Sequence, residues 1–181
     1  MPRIIVPVIG FVAASGSGKT TLIKRLVPLL RGWGLRIGYL KHAHHTFDLD
    51  RPGKDSHGVR EAGATQTLLA SRRRWALQVE NPTDAREPAL PELLARFDTT
   101  VLDLILVEGF KHARFAKIEV YRPARGGTPL YPDDPDILAV ATDGPLPAGH
   151  PVRLDLNDPT AVADFIASRR SEWAVEIDEP D

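Results

Sequence analysis

The chain has 181 residues, of which 43% are hydrophobic and 26% are charged, values typical of one soluble globular domain. Its formal net charge of -1 lacks the basic excess of a dedicated nucleic-acid-binding protein. The chain contains no cysteine, which excludes disulfides, thiolate metal sites and a catalytic thiol and fits a reducing cytoplasm.

The amino-terminal segment combines Arg3 with an apolar run over residues 4–14, a pattern that imitates a secretion signal. This run is shorter than the ~20 apolar residues that a membrane span requires. Cleavage after the run would also remove the strand on which the following glycine-rich loop depends. We therefore expect a cytoplasmic protein that does not contact a membrane.

The first predicted strand, residues 4–12, is almost continuously apolar, as in a parallel strand buried on both faces. A helix is predicted over residues 19–31, where leucine, isoleucine and valine recur at helical spacing before Gly32. A polar loop then separates a predicted strand over 35–41 from a predicted helix over 55–64.

Two further strands, over residues 65–71 and 75–80, are predicted to form a hairpin joined by the arginine run 72–74. Strands and helices alternate before and after this hairpin. The pattern predicts an α/β fold with an open, mostly parallel sheet flanked by helices and an inserted hairpin. The later predicted elements are a helix over 88–97, strands over 104–107, 117–121 and 137–141, and a helix over 159–168.

The sequence AASGSGKTTL, residues 13–22, lies between the first predicted strand and the first predicted helix. A phosphate-binding loop (P-loop) needs inward backbone N–H groups, small residues and a helix N-terminus facing the anion. Lys19 can reach the β- and γ-phosphates, and the Thr20 hydroxyl can ligate Mg²⁺. A serine- and glycine-rich surface loop is the alternative, but the position between strand and helix favours a nucleoside triphosphate site. The predicted binding residues are Ala14, Ser15, Gly16, Ser17, Gly18, Lys19, Thr20 and Thr21.

The sequence DLILVEGFK, residues 103–111, offers two carboxylates for the metal that accompanies such a loop. Asp103 precedes the apolar strand and Glu108 follows it, so at ~3.3 Å per residue they lie roughly 17 Å apart. Only Glu108 falls at the carboxyl end, where a second Mg²⁺ ligand is needed. We predict Lys19 and Glu108 as catalytic groups, Glu108 with Thr20 as metal ligands, and Gly109 as room for the γ-phosphate. The alternative for Glu108 is a solvated charge at a strand end.

A second polar constellation, KHAHHTFDLDRPGKDS, occupies residues 41–56 after the second predicted strand. His42 and His44 could bind zinc, but a solvated polar loop or a pair of imidazoles that sense phosphate is the favoured interpretation. Asp48 and Asp50 could hold Mg²⁺ through water, or they could serve only as turn residues. Asp50 is retained as a predicted metal ligand.

The sequence LAVATDGP ends a predicted parallel strand at Thr142 and Asp143. An aspartate at this position could accept hydrogen bonds from N1–H and the exocyclic amine of guanine, which adenine does not offer. Asp-Gly is also a common turn sequence. Asp143 is therefore predicted as a guanine-binding residue, with a turn as the alternative.

The last residues, 171–181, contain five acidic and no basic side chains and are predicted to form a solvated tail. The predicted nucleotide-binding domain thus spans residues 1–170. Within it, the apolar side chains of segments 65–80 and 115–122 exceed what a small exposed ribbon can carry. We predict that these segments form a β-extension that is buried in a homodimer.

The segments ASGSGKTTL, KHAHHTFDLDRPGKDS, EAGATQTLLAS, RWAL, LDLILVEGFK and AVATD together resemble the MobB family of molybdopterin-guanine dinucleotide biosynthesis adapter proteins. This resemblance implies a GTP-binding P-loop protein, weakly hydrolytic, that dimerises through extended β-structure and assists the molybdenum cofactor guanylyltransferase. It places the GTP phosphates at residues 13–20, makes Glu108 the second carboxylate, and puts Asp50 and Asp55 in a switch-like loop. Ala13 departs from the usual first glycine but is small enough to preserve phosphate binding.

Two other functional classes are compatible with parts of the sequence. A small-molecule kinase uses the same loop, and the arginines at 72–74 could form its lid, but no acceptor pocket is recognisable. A nucleic-acid-binding module would depend on that arginine run alone. The sequence contains no obvious glutamine or arginine finger positioned for fast hydrolysis, which fits slow turnover.

Overall fold

The computed structural model of the protein describes residues 4–43, 53–81 and 86–177. The chain divides into two compact units. The first contains Met1–His42 with Ala89–Asp181, and the second contains Ala43–Pro88. Among the described residues, every helix is too short or too polar to cross a lipid bilayer.

The described elements follow the predicted alternation of strands and helices. The strands are β1 Ile4–Val12, β2 Ile37–Lys41, β3 Gln66–Ala70, β4 Trp75–Val79, β5 Leu104–Glu108, β6 Lys117–Tyr121, β7 Ile137–Thr142, β8 Val152–Asp155 and β9 Ala174–Ile177. The helices are α1 Lys19–Gly32, α2 Asp55–Glu61, α3 Leu90–Leu94 and α4 Pro159–Arg169. Neither β8 nor β9 is predicted from the sequence, whereas the other strands agree with prediction to within a few residues.

The first unit is built on one sheet with the strand order β2-β5-β1-β6-β7-β8. All of these neighbours are parallel, and β9 alone is antiparallel, pairing with the first half of β1. This arrangement confirms the predicted mostly parallel α/β sheet. It also brings the carboxyl ends of β1, β5, β6 and β7 to one edge of the sheet.

Alternating residues of β1 face opposite sides of the sheet, which explains its continuous apolar sequence. Ile9 and Phe11 are buried in a cluster with residues of α1 and α4. Val6 and Val8 are buried in another cluster with Leu90 and Leu94 of α3. Helices therefore cover both faces, and the central strand is held firmly at the base of the glycine-rich loop.

The prediction that segment 115–122 belongs to an exposed β-extension is wrong. Strand β6 pairs with β1 on one side and with β7 on the other, and Ile118 and Val120 are fully buried. Lys117 is also buried, because its ammonium forms an ion pair with Asp134 at 2.6 Å and donates to the Ala113 carbonyl at 2.9 Å. A lysine at a strand end can thus lie in the interior when its charge is neutralised.

The predicted solvated tail is wrong for residues 171–177. Trp173 is buried against the apolar cluster of α1 and α4, and β9 forms an antiparallel ladder with β1. Within β9, Glu176 is exposed and Val175 is half-buried, as in a strand with one solvated face. Residues 178–181 lie outside the described residues.

The second unit contains α2 and the hairpin of β3 and β4. In this antiparallel pair, Leu68 lies opposite Leu77 and Ala70 lies opposite Trp75, so these side chains share one face of the ribbon. That face is solvent-exposed: Leu68 is 63% and Trp75 is 71% accessible. The hairpin itself agrees with prediction.

Candidate nucleotide-binding site

The loop between β1 and α1 has the backbone geometry that the sequence predicts for phosphate binding. Gly16 and Gly18 have φ angles of 75° and 97°, in the left-handed region that favours glycine. Gly18 is also the N-cap of α1, where it provides no capping side chain, and the first turn of the helix has no acidic residue. The positive end of α1 is therefore left for an external anion.

Lys19 crosses the mouth of this loop. Its ammonium lies 3.4 Å from the Ala13 carbonyl oxygen. Burial lowers the pKa of Lys19, the nearby Glu108 carboxylate raises it, and the positive charges of Lys41 and Lys111 lower it further. Two further ammonium groups and one carboxylate thus act on Lys19. Such a cationic group would be stabilised by phosphate.

Glu108 lies at the carboxyl end of β5 and connects β2 to the start of α1. Its Oε1 accepts a hydrogen bond from the Thr20 hydroxyl at 2.7 Å, and its Oε2 accepts one from the Tyr39 hydroxyl at 2.6 Å. Lys41 lies 3.8 Å from Oε1. The structure therefore places two of the three predicted metal ligands, Thr20 and Glu108, in direct contact with each other.

Tyr39 is a residue of this site that the sequence interpretation missed. Burial and its hydrogen bond to Glu108 raise the pKa of the Tyr39 hydroxyl, so this group stays a hydrogen-bond donor at neutral pH. Strand β2 runs beside β5 with Lys41 opposite Glu108 and Tyr39 opposite Leu106. Only knowledge of this strand pairing could have identified Tyr39, because nothing in its local sequence marks it.

Asp103 lies at the other end of β5, as the sequence predicts. Its carboxylate accepts two hydrogen bonds from the Arg36 guanidinium, each at 2.9 Å, and one from the Arg36 backbone N–H at 2.8 Å. These bonds hold the pKa of Asp103 well below its usual range. Asp103 thus connects β2 to β5 and is remote from the loop.

Gly109 follows Glu108 with a φ angle of 103°, and a Cβ on it would lie 2.8 Å from the His42 Cβ. The His42 imidazole stacks on Phe110, with ring centroids 4.5 Å apart. Close approach of the β2 and β5 ends therefore gives a local reason for glycine here. Its predicted role in admitting the γ-phosphate stays a prediction.

The remaining predicted ligands either bind another side chain of the protein or lie outside the described residues. Asp143 follows β7, and its Oδ2 accepts a hydrogen bond from Arg122. Asp50, Asp48 and His44 lie outside the described residues, so their predicted metal roles stay predictions. The described part of the chain holds no group of three His, Cys, Asp or Glu residues placed to bind a metal.

Two arginines that the sequence interpretation did not select also reach the loop. Arg122 Nε donates to the Ser17 carbonyl at 3.1 Å, and Arg125 donates to the Gly16 carbonyl. A cavity of about 280 Å³ lies between the loop and the segment that carries these arginines. Its lining includes Ala14, Ser15, Ser17, Glu119, Arg122 and Arg125.

Comparison with known proteins points to one family. The family model described as molybdopterin guanine dinucleotide synthesis protein B, MobB, matches residues 8–143. A molybdopterin-guanine dinucleotide biosynthesis adapter protein from Escherichia coli (strain K12) is 48% identical over 94% of this chain and 95% of its own length. A protein of the same name from Haemophilus influenzae is 42% identical over 89% of this chain and 88% of its own length.

A solved structure supports the fold assignment. The crystal structure of a molybdopterin-guanine biosynthesis protein B superposes with a TM-score of 0.69 at 28% identity, covering 89% of this chain and 98% of the other. The chain has the same P-loop NTPase fold, with its glycine-rich loop after β1 and Glu108 as the last residue of β5. From the family match and the identity to the curated relatives, the chain belongs to the MobB family.

Proposed function

We propose that the protein binds GTP and acts as an adapter in the conversion of molybdopterin to molybdopterin guanine dinucleotide. The observation that carries this proposal is the contact between Thr20 and Glu108 at the uncapped N-terminus of α1. A hydroxyl and a carboxylate side by side beside a phosphate-binding loop are the ligands that Mg²⁺-nucleotide complexes use in P-loop proteins. The relatives whose names include this biosynthetic role support the choice of pathway.

In this proposal the glycine-rich loop and Glu108 take the roles predicted for them from the sequence. Residues 14–21 would hold the phosphates, with the Lys19 ammonium at the β- and γ-phosphates. Thr20 and Glu108 would hold Mg²⁺, which neutralises phosphate charge when bound. Tyr39 keeps Glu108 oriented by its hydrogen bond to Oε2.

Hydrolysis of GTP is slow in this proposal. Rapid GTP hydrolysis depends on a group that orients the attacking water and on a cation at the transferring phosphoryl group. Arg122 and Arg125 do reach the loop, but they donate to its carbonyl oxygens. The protein therefore serves to hold the nucleotide, and no observation favours the small-molecule kinase.

The proposed partner is the molybdenum cofactor guanylyltransferase, which joins GMP to molybdopterin. Calorimetric titration with GTP and with ATP in the presence of Mg²⁺ tests the nucleotide. Repeating each titration with the guanylyltransferase, and measuring formation of the dinucleotide product, tests the adapter role. We expect tighter binding of GTP than of ATP and faster product formation. Equal binding of both nucleotides with unchanged product formation would contradict the proposal.

We also propose that the protein is a homodimer, joined through the exposed face of the hairpin. This face carries Leu68, Ala70, Trp75, Leu77 and Val79, and each strand of the described two-stranded sheet has one unpaired edge. A lone two-stranded ribbon is marginally stable in water, and an apolar ribbon face of this kind is commonly buried by a symmetric copy. The buried strand β6 takes no part.

Replacing Trp75 with alanine will weaken this dimer at least tenfold, because a tryptophan that becomes buried in an interface contributes about 2 kcal/mol or more to the binding free energy. The matched control is Trp33→Ala, since Trp33 is exposed on the first unit and is 45% accessible. Sedimentation velocity at micromolar concentration measures both variants and the unchanged protein. A monomeric unchanged protein, or equal effects of the two substitutions, would contradict the proposed interface.

A further inference from the structure

Strand pairing places an arginine-bearing turn beside the phosphate-binding loop. In the parallel pair of β1 and β6, Val12 lies opposite Glu119, so the segments that follow both strands leave the same edge of the sheet. The segment after β6 forms a 3₁₀ turn, Pro123–Arg125. This turn and the residue before it supply two guanidinium groups to the outer side of the loop.

Each guanidinium binds a different carbonyl of the loop. Arg122 Nε donates to the Ser17 oxygen at 3.1 Å, and Arg125 Nη1 donates to the Gly16 oxygen. A Cβ at Gly16 would lie 2.8 Å from Arg125 Nη1, so the guanidinium occupies the space that a larger residue would fill. We call Arg122 and Arg125 the arginine brace.

A cavity borders the loop on this side. Ala14, Ser15 and Ser17 contribute to the lining of this cavity, which has a volume of about 280 Å³. Within the loop itself, the Ser17 hydroxyl donates to the Ala14 carbonyl at 2.8 Å. The arginine brace lines the same cavity and binds two consecutive carbonyl oxygens of the loop, those of Gly16 and Ser17. In a phosphate-binding loop the backbone N–H groups face the anion, so the carbonyl groups point away from it.

The turn that carries the arginine brace is itself held in place. The buried Glu119 carboxylate accepts hydrogen bonds from the Leu130 and Tyr131 backbone N–H groups, at 2.8 and 3.0 Å. These bonds close the segment between β6 and Tyr131 into a loop. The segment that carries both arginines is consequently anchored at both of its ends.

Asp143 completes the arrangement from the neighbouring strand. Tyr121 lies opposite Thr142 in the β6 and β7 pair, so Arg122 and Asp143 follow these strands side by side. Arg122 Nη1 donates to Asp143 Oδ2, and the same guanidinium donates to Ser17 through Nε. A carboxylate that reads guanine needs both oxygens for N1–H and the exocyclic amine. In this structure one of those oxygens accepts a hydrogen bond from Arg122, whose guanidinium also binds the Ser17 carbonyl and so ties Asp143 to the phosphate-binding loop.

We infer that the arginine brace fixes the phosphate-binding loop from outside, and that Asp143 is a positioning residue that orients Arg122 and does not read guanine. The inference rests on the proposed binding of GTP. It predicts that loss of Asp143 weakens every ligand that occupies the loop by the same factor, whether or not the ligand carries a base.

The test compares GTP, XTP and inorganic tripolyphosphate, each with Mg²⁺, in calorimetric titrations. We expect Asp143→Asn and Arg122→Gln each to weaken GTP and tripolyphosphate alike, by roughly tenfold, the cost of one charge-assisted hydrogen bond. The double variant should bind no more weakly than Arg122→Gln alone, because both changes remove one connected unit. Arg122→Lys should restore part of the affinity, and Arg153→Gln, on exposed β8, is the control.

Base reading by Asp143 predicts a different pattern. Asp143→Asn would then weaken GTP, leave tripolyphosphate unchanged and strengthen XTP, since xanthine has a carbonyl where guanine has an amine. That result would overturn the inference.

Hydrogen exchange of the nucleotide-free protein separates this inference from the proposed function. We expect faster exchange at residues 14–18 in Arg122→Gln and Asp143→Asn, with unchanged exchange in the central strands. Unaltered exchange at residues 14–18 would overturn the inference even if GTP binds. Failure of the unchanged protein to bind GTP would instead overturn the proposed function, and the exchange result would still decide the role of the arginines.

Discussion

Replacing Lys19 with alanine should reduce the affinity for GTP by on the order of 100-fold, the loss that follows from removing charge-assisted hydrogen bonds to phosphate. Lys19 begins α1, and its ammonium spans the loop to the Ala13 carbonyl. Burial lowers the pKa of Lys19, and a bound anion would act on it in the opposite direction. Its removal should therefore affect ligand binding far more than folding.

Lys24→Ala is the matched control for this experiment, because Lys24 is exposed on the same helix. Calorimetric titration with GTP and Mg²⁺ measures affinity, and thermal unfolding followed by circular dichroism verifies that each variant is folded. A folded Lys19→Ala protein that binds GTP as tightly as the Lys24→Ala protein would show that this loop is not the nucleotide site.

Replacing Glu108 with glutamine should lower Mg²⁺-dependent GTP hydrolysis roughly 100-fold and GTP affinity only a few fold. Glu108 contacts the Thr20 hydroxyl, and together they form the proposed metal site at the phosphate end of the nucleotide. A neutral amide keeps the shape of the side chain but removes the charge that holds the cation, a loss of about 3 kcal/mol in the transition state. The proposed contacts of Lys19 and the glycine-rich loop with the phosphates would be unaffected, so most of the binding energy should persist.

Asp103→Asn tests whether position on β5 decides this effect. Asp103 bonds Arg36 at the opposite end of the strand, so its loss should lower thermal stability and leave the hydrolysis rate near that of the unchanged protein. Single-turnover hydrolysis with and without added Mg²⁺ measures both variants. Equal losses of hydrolysis in Glu108→Gln and Asp103→Asn would contradict the assigned role of Glu108.

The parts of the site that could be predicted are encoded locally. The glycines at 16 and 18, Lys19 and Thr20 follow an apolar strand and begin a helix, so their spacing alone fixes the loop. Glu108 could be chosen over Asp103 because direction along one strand decides which end meets the loop. Both placements agree with the structure.

The parts that could not be predicted depend on which strands become neighbours. Strand β6 resembles an exposed ribbon in isolation, but it is central in the sheet, and Lys117 is neutralised by Asp134 from a later loop. Tyr39, Arg122 and Arg125 join the site only through the pairing of β2 with β5 and of β6 with β1. The sequence around each of them contains no motif, so pattern alone could not select them.

The antiparallel contact between β9 and β1 has a consequence for how the protein matures during synthesis. Ile4 pairs with Ile177 and Pro7 with Ala174, so the strand that supports the glycine-rich loop gains one of its partners only after residues 174–177 have been synthesised. Contacts between segments so distant along the chain are formed late and slow folding. A ribosome-bound chain that already contains every nucleotide-binding residue will thus still lack the finished scaffold. Competence to bind ligand should consequently arise after release of residue 177, rather than when the loop itself emerges.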